Sequence, residues 1–192
     1  MNKKVILILC FAILAFGISA GIYYFKVYHS VKDIVLDCNY VTYNSEQELD
    51  NAADIILYGT PVDEFDKRQH VNNYINGDVL SDFYTLTKFN VMKVIKAPQD
   101  LKIKKSDIFD VIEPIGVKQD KDGIKILKPD AYESLQLGEK YIIYLKSNGK
   151  DGYSIINMNN GKFNVLHDEK QDDQKHIELK KSVIAKKAKL ID

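Results

Sequence analysis

Asp82-Phe83-Tyr84-Thr85-Leu86-Thr87-Lys88-Phe89-Asn90-Val91-Met92-Lys93-Val94-Ile95-Lys96 decides the fold class. It is rich in threonine, aromatic and β-branched residues, which suit a pleated strand far better than a helix. In one register Phe83, Phe89, Val91 and Ile95 share a face, with Thr85 and Thr87 between them. Tyr84, Leu86, Met92 and Val94 lie opposite. Apolar residues on both faces predict a long strand that curls and packs on two sides. Ala97-Pro98 ends it.

The same reading extends in both directions. Upstream, Ile55-Ile56-Leu57-Tyr58-Gly59-Thr60-Pro61-Val62 predicts a strand, with Pro61 marking an edge or a bend. Before it, Ser45-Glu46-Gln47-Glu48 has the pattern of a capping box. A short helix is expected to run to about Ala53, with Leu49, Ala52 and Ala53 on one side. Residues 63–80 are polar and are expected to form a long loop. Downstream, Ile108 to Pro114 predicts a strand, and residues 116–139 a second long polar connection ending in Leu135, Leu137 and Gly138. Lys140-Tyr141-Ile142-Ile143-Tyr144-Leu145-Lys146 is a continuous apolar run between lysines, as a strand buried on both faces would be. Asn148-Gly149 and Asp151-Gly152 signal turns. Tyr153–Met158 and Lys162–Leu166 are expected as two strands of a hairpin around Asn159-Asn160-Gly161.

The tail from Asp168 is dominated by charge, with seven lysines and four acids from Lys170 to Asp192. Ile177, Val183, Ile184 and Leu190 offer only a thin apolar stripe, so a solvated helix or mobile tail is expected. One short helix and about six strands separated by turns argue for a small barrel or sandwich.

The other end of the chain has a different composition. After Asn2-Lys3-Lys4, residues 5–25 (VILILCFAILAFGISAGIYYF) carry no charge and no proline. At 1.5 Å per residue such a run reaches about the ~30 Å of a bilayer's hydrocarbon. Tyr23 and Tyr24 fall where aromatic rings suit the interface, and Lys26 ends the run. The lysine pair keeps the N-terminus in the cytoplasm and puts the C-terminal domain outside, as a single-pass protein of the cell membrane. A cleaved signal peptide, cut near Gly17-Ile18-Ser19-Ala20 to give a secreted domain, is a second reading. Lipidation at Cys10 is a third, disfavoured by the bulky Leu9 before it. The chain thus divides into an anchor or signal segment (1–26), a connector (27–44), a β-barrel domain (45–167) and a charged tail (168–192).

Charge excludes one class of partner. Residues 1–26 hold Lys3, Lys4 and Lys26 and no acid, so the remainder has 24 basic against 27 acidic residues. A domain about three charges negative exerts no general pull on a phosphate backbone, and no nucleic acid is expected. Cys10 and Cys38 cannot pair within one molecule if the first lies in lipid, so burial alone must stabilise the domain.

The chemistry-bearing residues form no familiar pattern. His29, His70, His167 and His176 are scattered, with no zinc-type spacing, and no phosphate-cradling glycine loop or nucleophile elbow is present. Asp63, Glu64 and Asp66 near His70 form the densest polar group, without the spacing of a calcium loop. No catalytic, cofactor-binding or metal residue is assigned, and no cofactor is expected. Twelve tyrosines and no tryptophan supply the larger aromatic rings, with Tyr84, Tyr141, Tyr144 and Tyr153 in predicted strands. They are expected to pack the core with hydroxyls at its rim.

The order helix, Ala52-Ala53-Asp54-Ile55-Ile56-Leu57-Tyr58-Gly59-Thr60-Pro61-Val62, long strand Tyr84–Lys96, Gly138-Glu139-Lys140-Tyr141-Ile142-Ile143-Tyr144-Leu145 and Asn160-Gly161-Lys162-Phe163 carries a resemblance. It resembles small uncharacterised membrane-anchored extracytoplasmic proteins of Gram-positive bacteria. It is also distantly similar to the OB-like barrel of the metalloprotease-inhibitor and netrin type, over residues 45–166. The resemblance implies a mainly β fold: a small OB-like β-barrel with one short N-terminal helix, preceded by a single transmembrane helix. It does not imply protease inhibition, which in that family uses a disulfide-anchored N-terminal cysteine; Cys38 stands alone and inside the chain. The expected function is a membrane-tethered, non-enzymatic binding domain for an envelope protein, peptide or glycan. The alternatives are an envelope hydrolase with a site around His70, or an envelope inhibitor or immunity-like protein.

Overall fold

The computed structural model describes residues 2–129, 132–149, 152–167 and 173–191. Asp151 of the second turn signal and residues 168–172 of the tail lie outside them. An apolar helix α1 (Lys3–Tyr23) passes through a widened turn (Tyr24–Tyr28) to β1 (Val31–Leu36), and α2 (Glu46–Ala52) precedes β2 (Ile55–Pro61). One 3-10 turn (Phe65–Lys67) leads to β3 (Gln69–Ile75) and β4 (Val79–Lys96). Then follow β5 (Ile108–Glu113), β6 (Gly116–Asp120), β7 (Gly123–Pro129), β8 (Tyr141–Ser147), β9 (Tyr153–Ile155), β10 (Lys162–Asn164) and α3 (Gln174–Ile191).

Five strands close a barrel: β2, β4, β5, β9, β8 and back to β2. Counted in chain order these neighbours run 1-2-3-5-4, the connectivity of an OB-type barrel. Neighbours are antiparallel except β5 and β9, which are parallel. β3 adds to the free part of β4, and β10 adds to the edge of β8 that β9 leaves open. Beside the barrel lies a three-stranded sheet in the order β1-β7-β6.

The length of β4 is what lets it bend. It pairs with β3 and β5 along its first half and with β2 along its second. Two register shifts against β2, at Ile56/Leu57 and Tyr58/Gly59, each add a residue to β4. An extra residue breaks the two-residue alternation and increases the local twist. This corrects the simple alternation expected of the strand. Val94 packs inside the barrel with Phe89 and Val91, while Ile95 joins Met92 outside it. At one shift a Cβ on Gly59 would stand 2.1 Å from the Asn90 carbonyl oxygen, so only glycine permits that approach.

Alternation holds in the shorter strands and builds two cores. Ile55 and Leu57 of β2 with Tyr141, Ile143 and Leu145 of β8 face the barrel interior, joined by Phe89, Val91, Val111 and Ile155. Ile56, Tyr58, Ile142 and Tyr144 face outward, beneath Leu49 of α2 and Leu179 and Val183 of α3. Burial on both faces explains the continuous apolar run of β8. The capping box forms: Ser45 Oγ accepts from the Glu48 amide at 3.2 Å, and the Glu48 carboxylate reaches back to the Asn44 amide at 2.8 Å.

Four further expectations are corrected. Residues 63–80 form a strand hairpin, because β3 finds open hydrogen-bonding groups on β4. Residues 116–139 contain the β6–β7 hairpin, and β7 pairs in parallel with β1 of the connector. β9 and β10 do not pair with each other; each takes part of one edge of β8. The tail packs as α3, because His176, Leu179, Lys180, Val183 and Lys187 form a buried stripe that includes long lysine stems.

Candidate functional site

The barrel has one covered wall and one open wall. α2 and α3 lie over β2, β8 and β10. Among the described residues no helix lies on the wall made by β3, the first half of β4, β5 and β9, and a cleft of about 560 Å³ lies on it. That volume falls within the range of small-molecule sites, ~300–1,000 Å³.

Strand register sets the cleft's floor. Asn73 pairs with Asp82, Val71 with Tyr84 and Gln69 with Leu86. Leu86 pairs onward with Ile112, and Ile112 with Ser154. Alternation sends Tyr84 and Leu86 outward while their neighbours Thr85 and Thr87 point into the barrel and are buried. The floor is Tyr84, Leu86, Ile112 and Pro114, flanked by Phe83. Its rim is polar: Asn73 and Asp82 on the β3–β4 side, Asn148, Gly152 and Ser154 on the β8–β9 side. The β8–β9 turn is tied by reciprocal contacts, Asn148 N to Gly152 O at 3.0 Å and Gly152 N to Asn148 Oδ1 at 3.2 Å. Gly152 lies close on the floor: a Cβ there would stand 2.6 Å from Ile112 Cδ1. Among the described residues the lining has one acid, Asp82, and no lysine or arginine. It fits neutral, hydroxyl- or amide-rich ligands with an apolar face.

Behind this wall the barrel interior ends in a buried polar plug. The Arg68 guanidinium donates to Glu113 Oε1 at 2.8 Å and to the Leu135 carbonyl at 2.6 Å, with further bonds to the Asp63 carbonyl. Thr87 donates to the same carboxylate, Tyr132 Oη to its other oxygen at 2.9 Å, and the Leu135 amide at 2.8 Å. Both charged side chains are almost wholly out of solvent, 1% and 0% exposed. Every oxygen of Glu113 is satisfied, so the plug is a structural fastening that ties the β2–β3 connection and residues 132–135 to the barrel.

The residues singled out in the sequence fall elsewhere. His70 Nδ1 lies 2.8 Å from Thr85 Oγ1, and because Thr85 donates to the Ile115 carbonyl, the imidazole is the donor. Its ring meets Phe65 edge-on at 4.9 Å. Burial lowers the imidazole pKa, offset in part by the Phe65 backbone and the field of Asp66. Its hydrogen-bond partner is a threonine, and Asp63 contributes its backbone carbonyl to Arg68. Glu64 and Asp66 are exposed. His29 meets Tyr24, His167 lies 3.3 Å from Glu139 and His176 bonds Asn160, so the histidines are dispersed. Among the described residues no group of three or more His, Cys, Asp or Glu could hold a metal ion.

A second charged cluster fastens α3. Glu46 is buried and meets Lys186 and Lys187, and Lys187 also reaches Asp50. Burial alone would raise the Glu46 pKa, but hydrogen bonds from the two lysines outweigh it and hold the carboxyl below its ordinary value. The Tyr144 phenol beneath is pushed up by burial, with Asp50 and Glu46 adding to the effect.

Sequence reasoning missed Arg68, Glu113 and Tyr132. One signal was present: Arg68 is the sole arginine beside 26 lysines, and arginine's planar fork suits buried carboxylate pairs. No protein-family model matches the chain, and no curated protein matches it. The fold and the cleft therefore carry the functional argument alone.

Proposed function

We propose that this chain is a membrane-tethered, non-enzymatic binding domain that presents its open barrel wall to a glycan-bearing ligand outside the cytoplasm. One observation carries the reading: the cleft on β4, β5 and β9 has an apolar, aromatic floor and an amide- and hydroxyl-rich rim. The face of barrel strands two and three, with the loops beside it, is where OB-type barrels take oligonucleotides and oligosaccharides; that is an analogy of fold. The chemistry here favours the saccharide. Tyr84 offers a ring for a sugar face, and among the described residues the lining holds no lysine or arginine to neutralise phosphates.

The tether is α1 with its widened end, Lys3–Tyr28, which contains an 18-residue window of mean hydropathy 2.8 with no buried residue. It is long and apolar enough to cross a bilayer or to serve as a signal sequence. Lys3 and Lys4 at its start favour an outward-facing domain.

The test is calorimetric titration of the full chain in lipid nanodiscs with disaccharide-peptide fragments of peptidoglycan. Tyr84→Ala is expected to weaken binding by roughly tenfold or more, the loss of about 1–3 kcal/mol typical of a stacking ring. Ile108→Ala, on the far end of β5, is expected to change nothing. Equal affinity in wild type and Tyr84→Ala would sink the reading.

A further inference from the structure

The tip of the β3–β4 hairpin is apolar and bare. Asn76 and Gly77 both have positive φ, 55° and 88°, as a tight hairpin turn requires. Ile75 and Val79 form the closing pair across it, 56% and 58% exposed, with Tyr74 beside them at 41%. Tyr74, Ile75 and Val79 together form a small exposed apolar group on this tip.

The structure relates this tip to the apolar helix. β6 ends in a turn bonded to the end of the apolar helix: Tyr23 Oη donates to the Lys121 carbonyl at 2.6 Å, and Gln119 Nε2 to the Tyr28 carbonyl at 3.1 Å. β3 runs beside β6 in the same direction. Asn72 Nδ2 donates to the Val117 carbonyl at 2.9 Å, and one step on Lys118 Nζ lies 5.6 Å from the Tyr74 ring centre. Two residues beyond Tyr74 the hairpin turns, and two residues beyond Lys118 β6 ends. The hairpin tip therefore lies on the side of β3 and β6 where the β6 turn is bonded to the Tyr23–Tyr28 end of the helix.

We propose that Ile75 and Val79 insert into the surface of the lipid bilayer that the apolar helix leaves, as a second contact fixing the barrel's tilt. This rests on the reading of Lys3–Tyr28 as a membrane span. Asp78 at the turn limits entry to the headgroup boundary, while Tyr74 and the aromatic residues at the helix end suit the same layer. The tether alone leaves the barrel free to swing; two contacts hold the cleft at a set angle.

The chain has no tryptophan, so one substitution supplies a sole indole reporter. The full chain is reconstituted in phosphatidylglycerol–phosphatidylcholine vesicles in which some acyl chains carry bromine near the headgroup. Ile75→Trp is expected to lose emission as brominated lipid increases. Val79→Trp is expected to do the same from the other strand, which guards against one variant misfolding. Phe16→Trp reports on the span, and Ile108→Trp on the far end of the barrel. Quenching of Ile75→Trp, Val79→Trp and Phe16→Trp with Ile108→Trp unaffected supports the proposal. Quenching of Phe16→Trp alone overturns it and leaves the anchor standing. Quenching of Ile108→Trp as strongly as Ile75→Trp overturns it in favour of a barrel lying flat on lipid. No quenching anywhere overturns the anchor and this proposal together.

Discussion

Arg68 and Glu113 illustrate how a single side chain can be decisive without touching a ligand. Two charges are removed from water, and the loss is offset only because each polar atom finds a partner. Arg68→Met leaves the Glu113 carboxylate buried and uncompensated, and is expected to cost about 3–5 kcal/mol. Arg68→Met with Glu113→Leu is expected to recover part of that loss. Thermal unfolding of the two single variants and the double, read by circular dichroism, measures the coupling, and simple additivity would contradict it. His70 gives a pH prediction. Its pKa is lowered by burial, so the unfolded chain takes up the proton first as pH falls. The stability it contributes is complete above about 6.5 and declines as pH drops below that. His70→Asn is expected to flatten the fall in unfolding temperature between about pH 6.5 and 5; an unchanged slope would refute the assignment. Glu46 acts lower, since its depressed pKa withholds protonation until pH falls beneath 4.5. At this scale the sequence was least informative. A lone arginine and an acid two residues from Val111 on one strand face hint at a buried pair, but only the fold brings residues 68, 113 and 132 together.

Elements were more legible, because periodicity is local. The capping box, β2, β5 and β8 follow from spacing and turn residues alone. The misread elements are those whose partners are distant. β3 has no apolar alternation of its own and is a strand because β4 offers it an edge. One of the two bulges in β4 sits beside the approach of Gly59 to Asn90, which no pattern within β4 records. The tail's charge hid an apolar stripe, since lysine stems count as polar by name and as cover by contact. Docking of α3 predicts that Leu179→Ala, with its cavity under α3, costs about 2–5 kcal/mol. Amide exchange is expected to quicken in α3 before it changes in β4 and β5. Uniform quickening across the barrel would show that the helix is no separate covering layer.

For the whole molecule, the arrangement matters more than any residue: an apolar helix at one end, helices on one barrel wall, an open cleft on the other. The OB-like barrel was foreseen from strand order and resemblance, whereas the asymmetry between walls was not, because it depends on where α3 lands. That asymmetry leads to the central claim, that β4, β5 and β9 present the ligand face. The most direct measurement is amide NMR of the full chain in nanodiscs, titrated with disaccharide-peptide fragments of peptidoglycan. Saturable shifts centred on Tyr84, Leu86, Ile112 and Ser154 are predicted. Shifts mapping to α2 and α3, or no shifts at millimolar fragment, would contradict the account.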